Sequence, residues 1–215
     1  MSLFKPSAPR LVSVGLVIAL QLIEGRESVA AQSTPQAARP SPPTIASEID
    51  AQLSFLEGQF VAAAEAMPED KYWFAPTNGA FEGVRTFALQ VKHVATANFL
   101  FFCTITGEAP PPGVVVTGVA NGPDSIRTKE QILKYLKESF AFGHRAIATI
   151  TPQNAIEPLA RSPVPFIKTR TGMAAFSYAH AFDHYGQMVV FMRSNGIVPP
   201  ASVGQPPANP PKPTR

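Results

Sequence analysis

Two histidines of this chain, His180 and His184, are four residues apart. Residues at that spacing lie one above the other on the same face of an α-helix, so both imidazoles point towards the same place. Neutral imidazole nitrogens are common metal ligands, and zinc prefers them at about 2.0–2.1 Å. The spacing therefore predicts two ligands of one metal ion, although two ordinary polar residues on a helix would have the same spacing.

A third candidate ligand is His93, which lies in the middle of a second segment with helical periodicity. The inward face of that helix is predicted to carry Leu89, His93, Ala97 and Leu100. A buried imidazole without a partner costs about 1–3 kcal/mol, and coordination of a metal would supply the partner. Three imidazoles without a fourth protein ligand leave a coordination position for water or substrate, as in catalytic metal sites.

The other candidates for this site are weaker. Asp183 and Gln187 are near enough in sequence to hydrogen-bond the ligands, but the interpretation we favour for Asp183 is a solvated surface carboxylate. His144 has no spacing relation to the other histidines and is predicted to be an exposed imidazole. The only cysteine, Cys103, cannot form an internal disulfide and is predicted to be a small buried residue.

The chemistry of such a site would come from its metal. The sequence contains no evident Ser/His/Asp arrangement, pair of acids or phosphate-binding loop, so the candidate catalyst is a divalent ion that activates a bound water or thiol towards a small-molecule substrate. Three imidazoles suit zinc, nickel, copper or iron, and the sequence does not select among them. The alternative is an envelope or stress protein that binds a metal or another ligand without catalysis.

Four long segments with helical periodicity must position these residues. They are predicted from Ser47 to Pro68, from Phe81 or Glu82 to Gly107, from a Thr128 cap to about Ile150, and from Thr171 or Gly172 to Asn195. The fourth segment carries Phe176, His180, His184, Met188 and Phe191 on one stripe. A short strand in the loop segment VVVTGV is a weaker alternative, because turn residues flank it. The sequence therefore predicts an all-α four-helix bundle.

The two ends of the chain differ from the segment between them. Residues 1–31 have the layout of a signal peptide, with two basic residues before an uncharged stretch from Leu11 to Ile23 and small residues at the exit. That stretch is shorter than the ~20 residues of a membrane-spanning helix, so an uncleaved anchor is the less favoured alternative. Residues 32–46 are predicted to be a flexible linker, 47–198 the bundle domain, and 199–215 a Pro-rich disordered tail.

These ends imply a periplasmic or secreted protein with no membrane segment after the signal peptide is removed. Removal takes away three basic and two acidic residues, which lowers the formal net charge of +3 by one. The remaining Lys and Arg residues are scattered, and no basic stripe alternates with aromatic residues. Nucleic acid is therefore not an expected partner.

Several motifs in this chain resemble those of DinB-like (damage-inducible) proteins. They are AAEAMP at 63–68 with Tyr72, Phe74 and Pro76; GVRTF at 83–87; KHVA at 92–95 with Asn98; and HAFDHYGQ at 180–187 followed by Arg193 and NGIVPP at 195–200. The resemblance extends from about residue 48 to residue 200, and the three histidines are its most specific part.

The resemblance implies a four-helix bundle of the DinB-like type that is commonly a homodimer. It also implies a divalent metal bound by one histidine of the second helix and two of the fourth, which are His93, His180 and His184 in this sequence. Some relatives transfer bacillithiol, mycothiol or glutathione, and others are metal-dependent hydrolases or have no known activity. Because those thiols are cytoplasmic, the export signal argues against a thiol transferase and keeps the hydrolase alternative open.

Overall fold

The computed structural model describes residues 42–114 and 120–205. Its four long helices are α1 (Ile45–Ala66), α2 (Phe87–Thr106), α3 (Lys129–Ala148) and α4 (Arg170–Ser194). Short 3₁₀ turns follow α1 at Glu69–Lys71 and α4 at Pro200–Ser202. No strand occurs in the described ranges, where β pairing is limited to one isolated bridge between Pro158 and Thr169. The all-α prediction is confirmed.

Two helices begin directly after a capping threonine, which shifts their starts from the predicted positions. Helix α1 begins at Ile45, since Thr44 caps it and the predicted first residue, Ser47, is the third helical residue and reaches back to the cap. Helix α2 begins at Phe87, later than predicted, because Thr86 caps it and Gly83 interrupts the chain before it with a positive φ of 76°.

The other two helices begin close to their predicted positions. Helix α3 has the predicted capping box between Thr128 and Gln131 and ends at Ala148, two residues before the predicted end. Helix α4 begins at Arg170, because the Thr169 side chain accepts a hydrogen bond from the Gly172 amide. None of the described helices is long and apolar enough to cross a membrane.

The helices form a bundle in which α2 packs against α3 and α4, and α1 packs against the same two helices. Helices that follow one another in the first and second halves of the chain, α1 with α2 and α3 with α4, therefore occupy opposite corners. Helix α2 is buried on most of its circumference, including the polar side chains of Gln90, Lys92, Thr96 and Asn98. This arrangement places α4 beside α2.

The prediction of a continuous inward-facing stripe on α2 is wrong, because most residues of that stripe are not fully buried. Ala97 is buried, but Leu89, His93 and Leu100 are only half-buried and lie on the least buried face of the helix. The periodicity did not select the correct face, because a helix packed against two neighbours needs apolar residues nearly all round. The predicted stripe of α4 is confirmed at its C-terminal end, where His184, Met188 and Phe191 are buried.

The ends of the bundle domain also differ from their predicted positions. The predicted linker overlaps the start of α1, and the predicted tail overlaps the turn Pro200–Ser202, which contacts α1. In that turn the Ser202 hydroxyl accepts a hydrogen bond from Arg193 Nη2 at 3.0 Å. The signal peptide, the linker up to residue 41, residues 206–215 and nearly all of the VVVTGV segment lie outside the described residues.

The predicted environment of Cys103 agrees with the structure, whereas that of His144 does not. Cys103 is buried as predicted, and burial raises the pKa of its thiol to about 11. The prediction of an exposed His144 is wrong, because this imidazole is partly buried between α3 and α1. Its Nδ1 lies 2.6 Å from Asp50 Oδ1 and its Nε2 lies 2.9 Å from Glu57 Oε2. No spacing in the sequence predicts this contact, since Asp50 and Glu57 are distant from His144 in the chain.

Gly143 lies where α3 contacts α2, and this position leaves no space for a side chain. A Cβ atom at this position would lie 2.5 Å from the Phe102 ring, which is fully buried. We expect Gly143→Ala to lower the free energy of unfolding by about 1–3 kcal/mol through overpacking. The matched control is Gly58→Ala on the exposed side of α1, which should raise it by up to about 1 kcal/mol. Denaturant unfolding measures both, and a stabilising Gly143→Ala would contradict the close helix contact.

The acids around His144 predict a pH-dependent stability. Burial alone would lower the pKa of His144, but hydrogen bonds to Asp50 and Glu57 and their charges outweigh burial and raise it. A raised pKa in the folded state gives stability that is complete below the unfolded value of about 6.5 and is lost as the pH rises through the folded value. We expect the free energy of unfolding to fall as the pH rises above about 6.5 and through the raised pKa of the folded state, and to fall less in His144→Gln. Equal pH dependence in both proteins would contradict this.

Candidate metal centre

Three histidines converge between α2 and α4. His93 comes from α2, His180 and His184 come from α4, and one ring nitrogen of each lies within 4.8 Å of the others. The Nε2 atoms of His93 and His180 are 3.1 Å apart. Two nitrogens at about 2.0–2.1 Å from one zinc ion are about 3.3 Å apart at the tetrahedral angle. The three predicted ligands are therefore close enough to bind one metal ion.

The backbone fixes the orientation of His93. Its Nδ1 lies 3.0 Å from the carbonyl oxygen of Ala120. A carbonyl oxygen only accepts hydrogen bonds, so Nδ1 carries the hydrogen and Nε2 keeps its lone pair. That lone pair faces His180, which is the tautomer that a metal ligand needs.

The loop that supplies this carbonyl is held at two further points. Asn121 Oδ1 accepts a hydrogen bond from Arg85 Nε at 2.7 Å, and the Pro123 carbonyl oxygen accepts one from Lys92 Nζ at 2.9 Å. Ala120 itself has a positive φ of 50°, which is uncommon for a residue with a side chain. Two contacts that follow the strained residue in the chain therefore help to hold its carbonyl against His93.

Gln90 is the site residue that the sequence analysis missed. Its side chain is buried on α2, one turn before His93, and its Oε1 lies 2.5 Å from His184 Nδ1. The available signal was an uncharged polar residue three positions before His93, on the same face of the predicted helix. Gln90 gives His184 a hydrogen-bond partner on the side of the ring away from His93 and His180.

Gln187 and Asp183 are connected to the histidines through Gln90. Gln187 Oε1 accepts a hydrogen bond from Gln90 Nε2 at 2.8 Å, and Gln187 Nε2 donates to Asp183 Oδ2 at 3.0 Å. Asp183 is exposed, in agreement with the favoured interpretation of a surface carboxylate. It is nevertheless the outer end of a hydrogen-bonded chain that leads through Gln187 and Gln90 to His184.

The third ligand, His180, lies against aromatic rings. Its ring centroid is 5.4 Å from that of Phe101, with the two rings perpendicular, and 6.2 Å from that of Phe176. Its Nδ1 is the single buried side-chain nitrogen or oxygen in the described part of the chain that has no hydrogen-bond partner. His180 Nε2, which lies 3.1 Å from His93 Nε2, is therefore the ring nitrogen available to a metal, and packing against aromatic rings orients the ring in place of a hydrogen bond at Nδ1.

The surroundings keep two of the imidazoles neutral. Burial lowers the pKa of His180 to about 4, helped by His93 and by the positive charge of Arg85 and opposed by Asp183. Burial also lowers the pKa of His184 to about 3, with His180, His93 and Arg85 as further causes. Only neutral imidazole coordinates a metal, so both groups are in the required form over the ordinary pH range.

Comparison with known protein families agrees with this geometry. The sequence profile of the DinB superfamily matches residues 52–188, which include all three histidines. The chain belongs to this superfamily. A search of curated proteins finds no match. The all-helical bundle and the histidine cluster are therefore features of a DinB-superfamily protein.

Gln90 predicts a measurable effect on metal binding in this DinB-superfamily protein. In Gln90→Leu the Nδ1 of His184 loses its acceptor, so the ring is no longer held towards His93 and His180. We expect the affinity for zinc to fall by about 10–100-fold. The matched control is Asn98→Leu, because Asn98 is another buried amide of α2 and donates to Ser139 in α3 at 3.2 Å. Zinc titration by calorimetry compares them, and an equal loss in both variants would contradict a specific role for Gln90.

Proposed function

We propose that this DinB-superfamily protein binds one divalent metal ion through His93, His180 and His184 and that it is a metal-dependent hydrolase or group transferase. The observation that carries the proposal is the convergence of three imidazoles of which two are held by hydrogen bonds with their lone pairs inward. When bound, the ion would lower the pKa of a coordinated water or thiol. Zinc, nickel, copper and iron all fit such a donor set.

The residues around the histidines would bind and orient the substrate. Phe101 and Phe176 exclude water from the His180 side of the centre. The positive charge of Arg85 acts on His180 and His184, and it would equally stabilise negative charge that develops on a substrate there. We therefore propose a small electrophilic substrate with an apolar portion.

A second candidate function is structural or ligand binding without catalysis. The observation that favours it is that the three histidines come from two helices, so a bound ion would connect α2 to α4. A metal that holds the bundle together contributes to its folding energy.

Removal of the metal separates the two candidates. For a catalytic centre we expect a chelator to abolish activity while the helical circular dichroism signal and the unfolding transition stay nearly unchanged, because the buried apolar residues stabilise the bundle. Loss of the helical signal with the metal would instead support the structural role.

The ligand set itself is tested by substitution. We expect His93→Ala and His180→Ala each to lose stoichiometric zinc while keeping the helical signal, because each removes one of three ligands and leaves the bundle core intact. His144→Ala is the control, since His144 contacts Asp50 and Glu57 and should keep one equivalent. Metal analysis of purified protein measures the stoichiometry, and a full equivalent in His93→Ala would reject the three-histidine centre.

We also propose that the protein is exported and that it forms a homodimer. Export is supported by the signal-peptide layout of residues 1–31 and is tested by the N-terminal mass of protein from the periplasm or medium. The dimer is supported by the family resemblance and is tested by light scattering over a tenfold dilution. An intact N-terminus or a monomer mass throughout would count against the respective proposal.

A further inference from the structure

A chain of three hydrogen bonds connects an exposed carboxylate to a buried histidine. Asp183 Oδ2 accepts from Gln187 Nε2, Gln187 Oε1 accepts from Gln90 Nε2, and Gln90 Oε1 lies against His184 Nδ1. Gln90 and His184 are buried, whereas Asp183 is exposed. Taken together, these hydrogen bonds have a direction, because donors and acceptors must alternate along the series.

The direction follows from the donor and acceptor inventory of each group. An amide side chain donates from its nitrogen and accepts at its oxygen, so two adjacent amides satisfy each other equally well in either of two opposite orientations. A neutral imidazole nitrogen likewise donates or accepts according to its tautomer. Gln187, Gln90 and His184 would therefore allow both directions if nothing else contacted them.

The carboxylate removes this ambiguity because it only accepts. Gln187 must turn its nitrogen to Asp183, so its oxygen faces Gln90. Gln90 must then turn its nitrogen to Gln187 and its oxygen to His184. The imidazole of His184 must consequently carry its hydrogen on Nδ1, and its Nε2 keeps a lone pair.

We propose that Asp183 is a positioning residue that sets the tautomer of His184 through Gln187 and Gln90. The opposite direction would place the hydrogen on Nε2 of His184, where it would face His93 and His180 and occupy the lone-pair position of a ligand. The tautomer itself does not depend on the proposed function. Its consequence for metal affinity does, and rests on metal binding by the three histidines.

The test uses a substitution that removes the direction and a second one that restores it. In Asp183→Asn the new amide can donate or accept, so both directions become possible. In the double variant Asp183→Asn with Gln187→Glu, the carboxylate moves one position inward, where it accepts from Gln90 on one side and from the new amide on the other. Asp70→Asn is the control, because Asp70 is an exposed carboxylate whose charge contact is Lys71 at 3.7 Å.

Two measurements on the full mature chain read the result. Heteronuclear NMR of the imidazole nitrogens, on protein treated with a chelator, reports the tautomer of His184. We expect Nδ1–H alone in the unsubstituted protein, in Asp70→Asn and in the double variant, and a mixture in Asp183→Asn. Zinc affinity by competition titration should fall about tenfold in Asp183→Asn and recover in the double variant.

The results that would overturn the role of Asp183 differ from those that would overturn metal binding. An Nε2–H tautomer in the unsubstituted protein, or a tautomer unchanged in Asp183→Asn, would overturn the role of Asp183. So would a double variant that keeps the mixture, because Gln187→Glu restores a group in the series that can only accept hydrogen bonds. If the tautomers behave as expected but the unsubstituted protein binds no zinc, the positioning role stands and the metal proposal fails.

Discussion

The candidate site depends on one property of the neutral imidazole, which carries one N–H group and one lone pair on opposite sides of the ring. If three lone pairs face one point, three N–H groups must face outward. The protein provides an acceptor for two of them, the Ala120 carbonyl for His93 and the Gln90 amide for His184. The third ring, His180, is held by Phe101 and Phe176 instead. Packing and hydrogen bonding thus share the orientation of the cluster.

The topology of the bundle makes these partners available. Because α1 and α2 occupy opposite corners, α2 contacts both α3 and α4 and has little surface left for solvent. A buried polar group without a partner costs about 1–3 kcal/mol, so each polar residue of α2 restricts how the helix can sit. Thr96 lies 3.0 Å from the Tyr135 hydroxyl, and Gln90 bonds Gln187. These contacts fix the rotation of α2 that brings His93 towards α4.

The sequence was sufficient for the features that depend on local spacing. The four helices, the capping box of Thr128 and the i, i+4 pair in α4 are all readable from neighbouring residues. The position of His93 in a helix was also predictable. The face that His93 occupies was not, because α2 has apolar residues on nearly all sides. Gln90 could have been suspected only after α2 and α4 were known to be adjacent.

Contacts between distant segments were beyond this kind of reading. The Ala120 carbonyl belongs to a loop with no periodic pattern, and it reaches His93 across 27 residues. His144 meets Asp50 across 94 residues, so its spacing to other histidines carried no information about its surroundings. In both cases the partner is chosen by the packing of whole helices, which local propensity does not encode.

The separation of the two ligand-bearing helices has a consequence for biosynthesis. His93 and His180 are 87 residues apart in sequence, so their approach requires the closure of a long loop, which carries an entropic cost and slows folding. On a growing chain, His93 and Gln90 cannot contact the residues of α4, which begins at Arg170, until that helix has left the ribosome. A nascent chain truncated before that point has neither His180 nor His184. The cluster is therefore assembled only after the residues for three of the four helices have been made.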